Sequence, residues 1–401
     1  MSAFNLGDRQ RFEQELRGNI LPFWMEHTVD RINGGFHGAL TNDLHVHNEV
    51  ERSAVLCARI LWTYATAYRL HGDASYLDMA GHAYDYLRRA FWDATYGGVY
   101  WSVDAQGVPH NERKHTYAQA FSIYGLAEYH RATGDPEALA LAQTLFRLIE
   151  AHSFDQIHGG NIECLSREWG SLADMRLSEK DLNSRKSMNT LLHLMEAYTS
   201  LSQVWEEATL RTKLRALIEL FLDKIIDPNT RHFKLFFDDA WNSLSSTVSY
   251  GHDIEGSWLL VEAAEALGDA DLVHATRRIA VEMVEAVYVE GRDADGSIFY
   301  EAHLVNPNST DKHWWVQTEA VVGFYNAYQL SGRAEFAEAS RRVWEYIEDR
   351  FVDRTYGDWF KVLNRAGERY PDQVKVGPWE CPYHHSRMCF ELLARLPSSA
   401  V

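Results

Sequence analysis

Cysteine and positive charge are scarce in this chain. Four cysteines (Cys57, Cys164, Cys381, Cys389) stand among 401 residues, and no two form a Cys-x-x-Cys pair. That excludes a disulfide scaffold and a thiolate zinc site, and it suits a reducing, cytoplasmic compartment. Lys and Arg number 39 against 57 Asp and Glu, for a formal net charge of −18. Nucleic-acid binding needs clustered cations and an anionic membrane attracts them, so neither partner is expected. No apolar run reaches 18 residues, and no apolar segment near the N-terminus reads as a secretion signal. A Gly-rich phosphate loop, a G-x-S-x-G elbow and an H-E-x-x-H helix are also missing, which argues against nucleotide chemistry, acyl transfer and zinc hydrolysis. No metal and no cofactor is expected.

Aromatic and imidazole rings are plentiful: 13 Trp, 20 Tyr and 19 His, within a hydrophobic fraction of 46% that is ample for a large core. Aromatic faces stack on sugar C–H groups, so this richness points toward a carbohydrate site.

The strongest organising signal is an internal repeat. A segment opening on Asp and rich in Gly and aromatics recurs at Asp30 (DRINGGFHGALTNDL), Asp93 (DATYGGVYWSVDAQG), Asp155 (DQIHGGNIECLSREW), Asp227 (DPNTRHFKLFFDDAW), Asp293 (DADGSIFYEAHL) and Asp353 (DRTYGDWFKVLNRAG). Each copy has turn residues and then alternating aromatic and polar positions, the pattern of a short hairpin. Between copies lie two stretches of helical periodicity, such as Ala54–Leu70 then Ser75–Phe91, and Thr116–Thr133 then Glu137–His152. Six such units predict an all-α protein, an (α/α)6 barrel with inner and outer helices and short β-hairpins on one rim. The whole of 1–401 then forms one domain. An open helical array is the alternative.

In a closed ring the inner helices converge on a cavity, so odd polar residues at their starts are candidates for chemistry. Ser249–Leu260 holds His252, Asp253 and Glu255 at the mouth of an apolar helix. Asp253 reads as its N-cap. His252 then falls just before the helix, where the positive dipole end disfavours imidazolium. Arg59 lies in an apolar helix and must be paired or face a polar cavity, where it would stabilise an oxyanion. Tyr117 and Gln119 are placed to bond sugar hydroxyls. Asn189 and His193 share a face at i,i+4, so Asn189 either orients His193 or binds substrate. Asp181 lies just upstream in a polar loop. Of Trp314 and Trp315, adjacent on a helix, one belongs to the core and the other to the cavity. Trp379 and His384 precede the last apolar helix. The spacing of the histidines argues against zinc, since no H-E-x-x-H or paired Cys is present and each candidate His belongs to a different repeat.

Cys57-Ala-Arg-Ile-Leu-Trp62, Lys114-His-Thr-Tyr-Ala-Gln119, Ser187-Met-Asn-Thr190, Ser249-Tyr-Gly-His-Asp-Ile-Glu255, His313-Trp-Trp315 and Cys381-Pro-Tyr-His384 together resemble the N-acylglucosamine 2-epimerase superfamily, and within it the cellobiose 2-epimerases. The likeness runs in order from about Leu21 to Leu393. It implies an (α/α)6 barrel and cofactor-free inversion at C2 of a reducing-end glucose, giving mannose. The matching site positions are Arg59, Tyr117, Asp181, Asn189, His193, His252, Glu255, Trp315, Trp379 and His384. The resemblance thus selects Trp315 over Trp314. One departure stands out: cellobiose 2-epimerases carry Asn-Thr-His-Leu-His where this chain has Leu191 as the third residue of Asn189–His193. That turns attention to a mannose 2-epimerase or a mannose/fructose isomerase.

C2 of a pyranose becomes acidic only when the ring opens to the aldehyde. The expected machinery is therefore His252 and His384 as the acid–base pair, Glu255 orienting His252, and Arg59 with His193 and Asn189 stabilising a cis-enediolate. Tyr117, Asp181, Trp315 and Trp379 would hold the sugar. The partner is a small sugar, and the expected assembly is a monomer or homodimer. Two rivals are an inverting glycoside hydrolase using Asp181, Glu163, Asp253 and Glu255, and a non-catalytic sugar-binding module.

Overall fold

The structure, a computed structural model, describes residues 4–302 and 309–397. The last two residues of the fifth repeat segment, His303 and Leu304, lie outside the described residues. Helices α1 (Leu6–Glu15) and α2 (Leu21–His27) are joined by a π turn and act as one outer helix. Inner and outer helices then alternate: α3 (Ala54–His71), α4 (Ala74–Tyr86), α5 (Thr116–Thr133), α6 (Pro136–His152), α7 (Met188–Ser202) and α8 (Ala208–Leu220). The series continues with α9 (Tyr250–Leu267), α10 (Ala270–Ala286), α11 (Trp314–Ser331), α12 (Ala334–Tyr346) and α13 (Tyr383–Arg395).

The two helix classes differ as their sequences require. An outer helix such as α8 buries one stripe, Leu210, Leu214, Leu217 and Ile218, and leaves a polar face to water. An inner helix such as α3 is buried on every side from Ala54 to Ala67, because outer helices cover its back and the barrel interior covers its front. Helices α3, α5, α9 and α11 end on Gly72, Gly134, Gly268 and Gly332, each in the left-handed conformation that glycine adopts without steric cost and that turns the chain outward. Inner helices pack in sequence order, and α13 packs against α3, which closes the ring. No helix among the described residues is long and apolar enough to cross a membrane.

Six short antiparallel pairings form a belt around one rim. The residues just before each inner helix pair with the hairpin of the next repeat: 52–53 with 102–103, 114–115 with 164–165, 186–187 with 236–237, Val248 with Ala302, and 312–313 with 362–363. Residues 374–376 close the circle on 40–41. The recurring Asp has a structural reason. In five repeats it pairs with a buried cation of the belt: Asp30 with Arg52 (3.2 Å), Asp93 with Lys114 (3.0 Å), Asp155 with Lys186 (2.7 Å), Asp293 with Lys312 (3.1 Å) and Asp353 with Lys375 (2.6 Å). In the fourth repeat Val248 holds the cation's place, and a His232–Asp253 bond of 2.7 Å ties hairpin to helix instead.

Candidate active site

Equivalent positions of the inner helices do equivalent work. The fourth residue reaches back to its own hairpin. Gln119 bonds both backbone groups of Val99 (2.8 Å each), Gln317 does the same at Ile298 (2.8 and 2.7 Å), and Asp253 accepts from Phe233 N (2.7 Å). Counting Pro382 as the first residue of α13, since its backbone is already helical, His385 takes this role and bonds Asp358 at 2.7 Å. Gln119 is therefore a hairpin clamp and not a sugar ligand. Leu191 holds the same fourth position in α7 and is fully buried in the core, so the Leu191 departure lies off the cavity face. Asp253 is not an N-cap either: α9 begins at Tyr250, its N-cap is Ser249, and Asp253 sits inside the first turn.

The third position carries His252 on α9 and, in the same count, His384 on α13. His252 thus lies within the helix rather than before it. Burial, aided by neighbouring His193, pushes its imidazole down to about 3, which favours the neutral ring. Its Nδ1 lies 2.7 Å from Ser249 Oγ. His384 is buried and held well below the usual imidazole range, first by burial and then by Arg59 and Arg387. Its Nδ1–H donates to Glu319 Oε1 (2.7 Å), which leaves the Nε2 lone pair free. Trp315 stands between the two, its ring centroid 4.8 Å from His252 and 5.5 Å from His384. Trp314 is buried under Lys361. The second position also supplies Tyr117 and Asn189.

One turn deeper, the sixth position forms a charged floor: Arg59, His193, Glu255, Glu319 and, counted from Pro382, Arg387. Arg387 Nη2 donates to Glu255 Oε1 (2.5 Å) and Glu319 Oε1 (2.8 Å), and Nη1 donates to Glu196. Glu255 therefore reaches Arg387 and comes within 4.0 Å of His384, instead of orienting His252 as its i,i+3 spacing predicts. Burial and the charge of Glu319 push Glu255 up to about 7, and its Oε2 has no hydrogen-bond partner. Burial would also raise Glu196, but Arg387 and His193 outweigh it and hold that carboxyl at about 2. Glu196 accepts from His193 Nδ1 (2.9 Å) and Tyr383 Oη (2.5 Å), so Glu196 orients His193 and Asn189 does not. Glu255, Glu319 and His384 have the donor set of a metal site, but the Arg387 guanidinium already sits on both carboxylates.

Arg59 has a different environment. It is buried, Nη2 donates to Tyr117 Oη (2.8 Å), Nη1 faces Cys381 Sγ (3.5 Å), and the plane lies 4.1 Å from the Phe121 centroid. No carboxylate among the described residues lies within ion-pair distance of it. A buried cation without an anion is costly unless an anion arrives. Above these layers opens a cavity of about 820 Å³ lined by Asp181, Asn189, Ser249, His252, Tyr300 and Glu380, among others. Asn189 Oδ1 is buried without a partner. Asp181 is anchored by Ser178 N (2.9 Å), and Trp379 stands 5.9 Å from Tyr117 and 6.0 Å from Trp101.

Of the hydrolase carboxylates, Asp181 and Glu163 line the same cavity, and burial together with the charge of Asp181 raises the Glu163 carboxyl. Asp253 is spent on the hairpin, Glu255 on Arg387, and Glu163 accepts from Ser187 and Thr190 at 2.7 Å each. Ser249 joins the site although the motif it opens assigns it no role, and Glu196, Glu319 and Arg387 join it without having been singled out by motif. Their signal is register: they share helix positions, or hydrogen bonds, with residues that were.

Comparison with known proteins agrees with this fold. Residues 34–387 match the profile of the N-acylglucosamine 2-epimerase (GlcNAc 2-epimerase) family. A cellobiose 2-epimerase of Bacteroides fragilis is 49% identical over 386 residues, covering 96% of this chain and 98% of that protein. One from Ruminococcus albus is 40% identical, covering 95% and 97%. The solved cellobiose 2-epimerase of Bacillus thermoamylovorans B4167 superposes with a TM-score of 0.93 at 37% identity, over 97% of this chain and all of that one. An (α/α)6 barrel with this match along nearly its whole length belongs to the N-acylglucosamine 2-epimerase family.

Proposed function

We propose that this enzyme is a carbohydrate isomerase, a 2-epimerase that interconverts glucose and mannose at the reducing end of a disaccharide such as cellobiose. The observation that carries this is the pair of histidines at one helical position, His252 and His384, flanking Trp315. Inversion at C2 needs a base on one face and an acid on the other. In the ring-opened aldehyde, His252 Nε2 takes the C2 proton. The C2–H electrons form the C1=C2 bond, and the C1 oxygen takes the negative charge. Arg59, lacking a carboxylate, pairs with that enediolate oxygen, helped by Tyr117 and His193. His384, protonated from solvent, returns a proton to the opposite face, and Glu319 holds its ring. Trp315 and Trp379 stack on the sugar rings, and Asn189 and Asp181 bond hydroxyls.

The cavity volume of about 820 Å³ falls within the ~300–1,000 Å³ typical of ligand sites, which leaves room for two rings. Leu191 is buried in the core and is not among the residues lining the cavity, which supports the disaccharide reading. The whole chain is read as one domain, supported by the contact of α13 with α3 and the pairing of 40–41 with 374–376.

The test is incubation with cellobiose, glucose, mannose and lactose in D2O. Two bases predict a C2 epimer of the disaccharide that carries deuterium at C2, with no cleavage. Transfer of the substrate's own hydrogen, release of glucose, or a ketose as the main product would each reject this reading.

A further inference from the structure

We propose that Ser249 is a positioning residue for the C2 base: its hydroxyl accepts from His252 Nδ1–H, fixing the tautomer that leaves Nε2 free toward the cavity. This rests on the reading of His252 as that base. The argument comes from comparing the repeats. Ser53, Ser187 and Ser249 are the N-caps of α3, α7 and α9. The first two serve the helix, accepting from the backbone N–H three residues on, at Leu56 (3.4 Å) and Thr190 (3.2 Å). Three residues after Ser249 stands His252. Ser249 makes no side-chain cap bond and instead lies 2.7 Å from the His252 ring. The same serine at the same place has been turned from the backbone to the imidazole.

The choice of hydroxyl matters chemically. Four other histidines of the barrel rest on carboxylates, His193 on Glu196, His384 on Glu319, His232 on Asp253 and His385 on Asp358, whereas His115 accepts from Tyr117 N and His82 and His130 meet backbone carbonyls. A carboxylate stabilises imidazolium, whereas a neutral hydroxyl orients the ring without adding countercharge. His252 is thereby kept as a neutral base that holds the C2 proton only transiently. The two histidines that flank Trp315 are made unequal by their partners, one set on a hydroxyl and one on a carboxylate.

The experiment compares full-length wild type with Ser249→Ala, Ser249→Thr, Ser249→Asp and His252→Ala. The readouts are steady-state kinetics against pH, C2 exchange in D2O, and Tm. Ser249→Ala should lower kcat by about 10–100-fold, part of the ~100–10,000-fold that a positioned acid–base group contributes, with KM and Tm little changed because no cap bond is lost. Ser249→Thr should recover most of the loss. Ser249→Asp places a carboxylate on the ring, raises its proton affinity, and should move the acid limb of kcat/KM upward by about 1–3 pH units. Wild-type kcat in Ser249→Ala, or no movement of the limb in Ser249→Asp, overturns the inference while leaving the epimerase reading standing. A Tm loss in Ser249→Ala that tracks the kcat loss, unrescued by Thr, assigns Ser249 a structural role and also overturns it. Exchange retained in His252→Ala overturns the base assignment, and the inference falls with it.

Discussion

Arg59 and Arg387 are two buried guanidinium groups on one floor with opposite surroundings. Arg387 is surrounded by Glu196, Glu255 and Glu319, and ties three helices to α13. Arg59 has a phenol, a thiol and aromatic faces, but no carboxylate. On the proposed mechanism its charge is uncompensated until an enediolate forms, which is where an electrostatic catalyst acts with least reorganisation. Arg59→Met keeps the bulk and removes the charge. We expect kcat to fall by about 100–1,000-fold, the cost of removing one such stabilising donor, while Tm stays level or rises because a costly buried cation is gone. Calorimetry beside product chromatography checks both halves. A lower Tm, or a kcat near wild type, would contradict this account of Arg59.

At the scale of elements, the site depends on how closely α9 and α11 approach. Gly251 is the second residue of α9, and a Cβ there would meet Trp315 at 2.5 Å and Val316 at 2.7 Å. The ring between the two histidines therefore fits only because the facing helix carries no side chain at that point. Gly251→Ala should displace Trp315, lower kcat, and destabilise the protein by about 1–3 kcal/mol through overpacking. Activity and Tm unaffected by Gly251→Ala would mean that the ring yields freely. The same scale explains the motifs. Tyr250–Glu255 combines a hairpin clamp (Asp253), an imidazole (His252) and a floor carboxylate (Glu255) in six residues, because successive positions of one helical turn face three directions.

For the whole molecule, the rim belt and its buried ion pairs make the barrel one closed object. Lys375 pairs with Asp353 (2.6 Å) and donates to Gly357 O (2.6 Å), in the strand that returns to the start of the chain. Lys375→Met leaves that carboxylate buried and unpaired. We expect a loss of about 3–5 kcal/mol, the range for removing one partner of a buried pair, seen as a lower Tm. Lys375 does not touch the cavity, so the surviving folded fraction should keep its KM. A Tm equal to wild type would show that the belt pairs contribute nothing to stability.

The sequence by itself determined the architecture. Six spaced Asp–Gly–aromatic segments with two helical periods between them allow few solutions other than a ring, because each unit's apolar faces need neighbours on both sides. It also marked the helix starts where His252, Asn189, Trp315 and His384 stand. Direction and partnership were decided only by the tertiary structure. The i,i+3 spacing of His252 and Glu255 and the i,i+4 spacing of Asn189 and His193 suggest partners along one helix, yet three of them find partners elsewhere or at another spacing, Glu255 on α13, His252 at Ser249 and His193 at Glu196, and Asn189 Oδ1 has none. In a barrel the inner ends of six helices converge, so a polar partner can come from a neighbouring helix, more than 60 positions away in the chain for Glu319 and His384. Spacing along one helix carries no information about that meeting. Ring closure does.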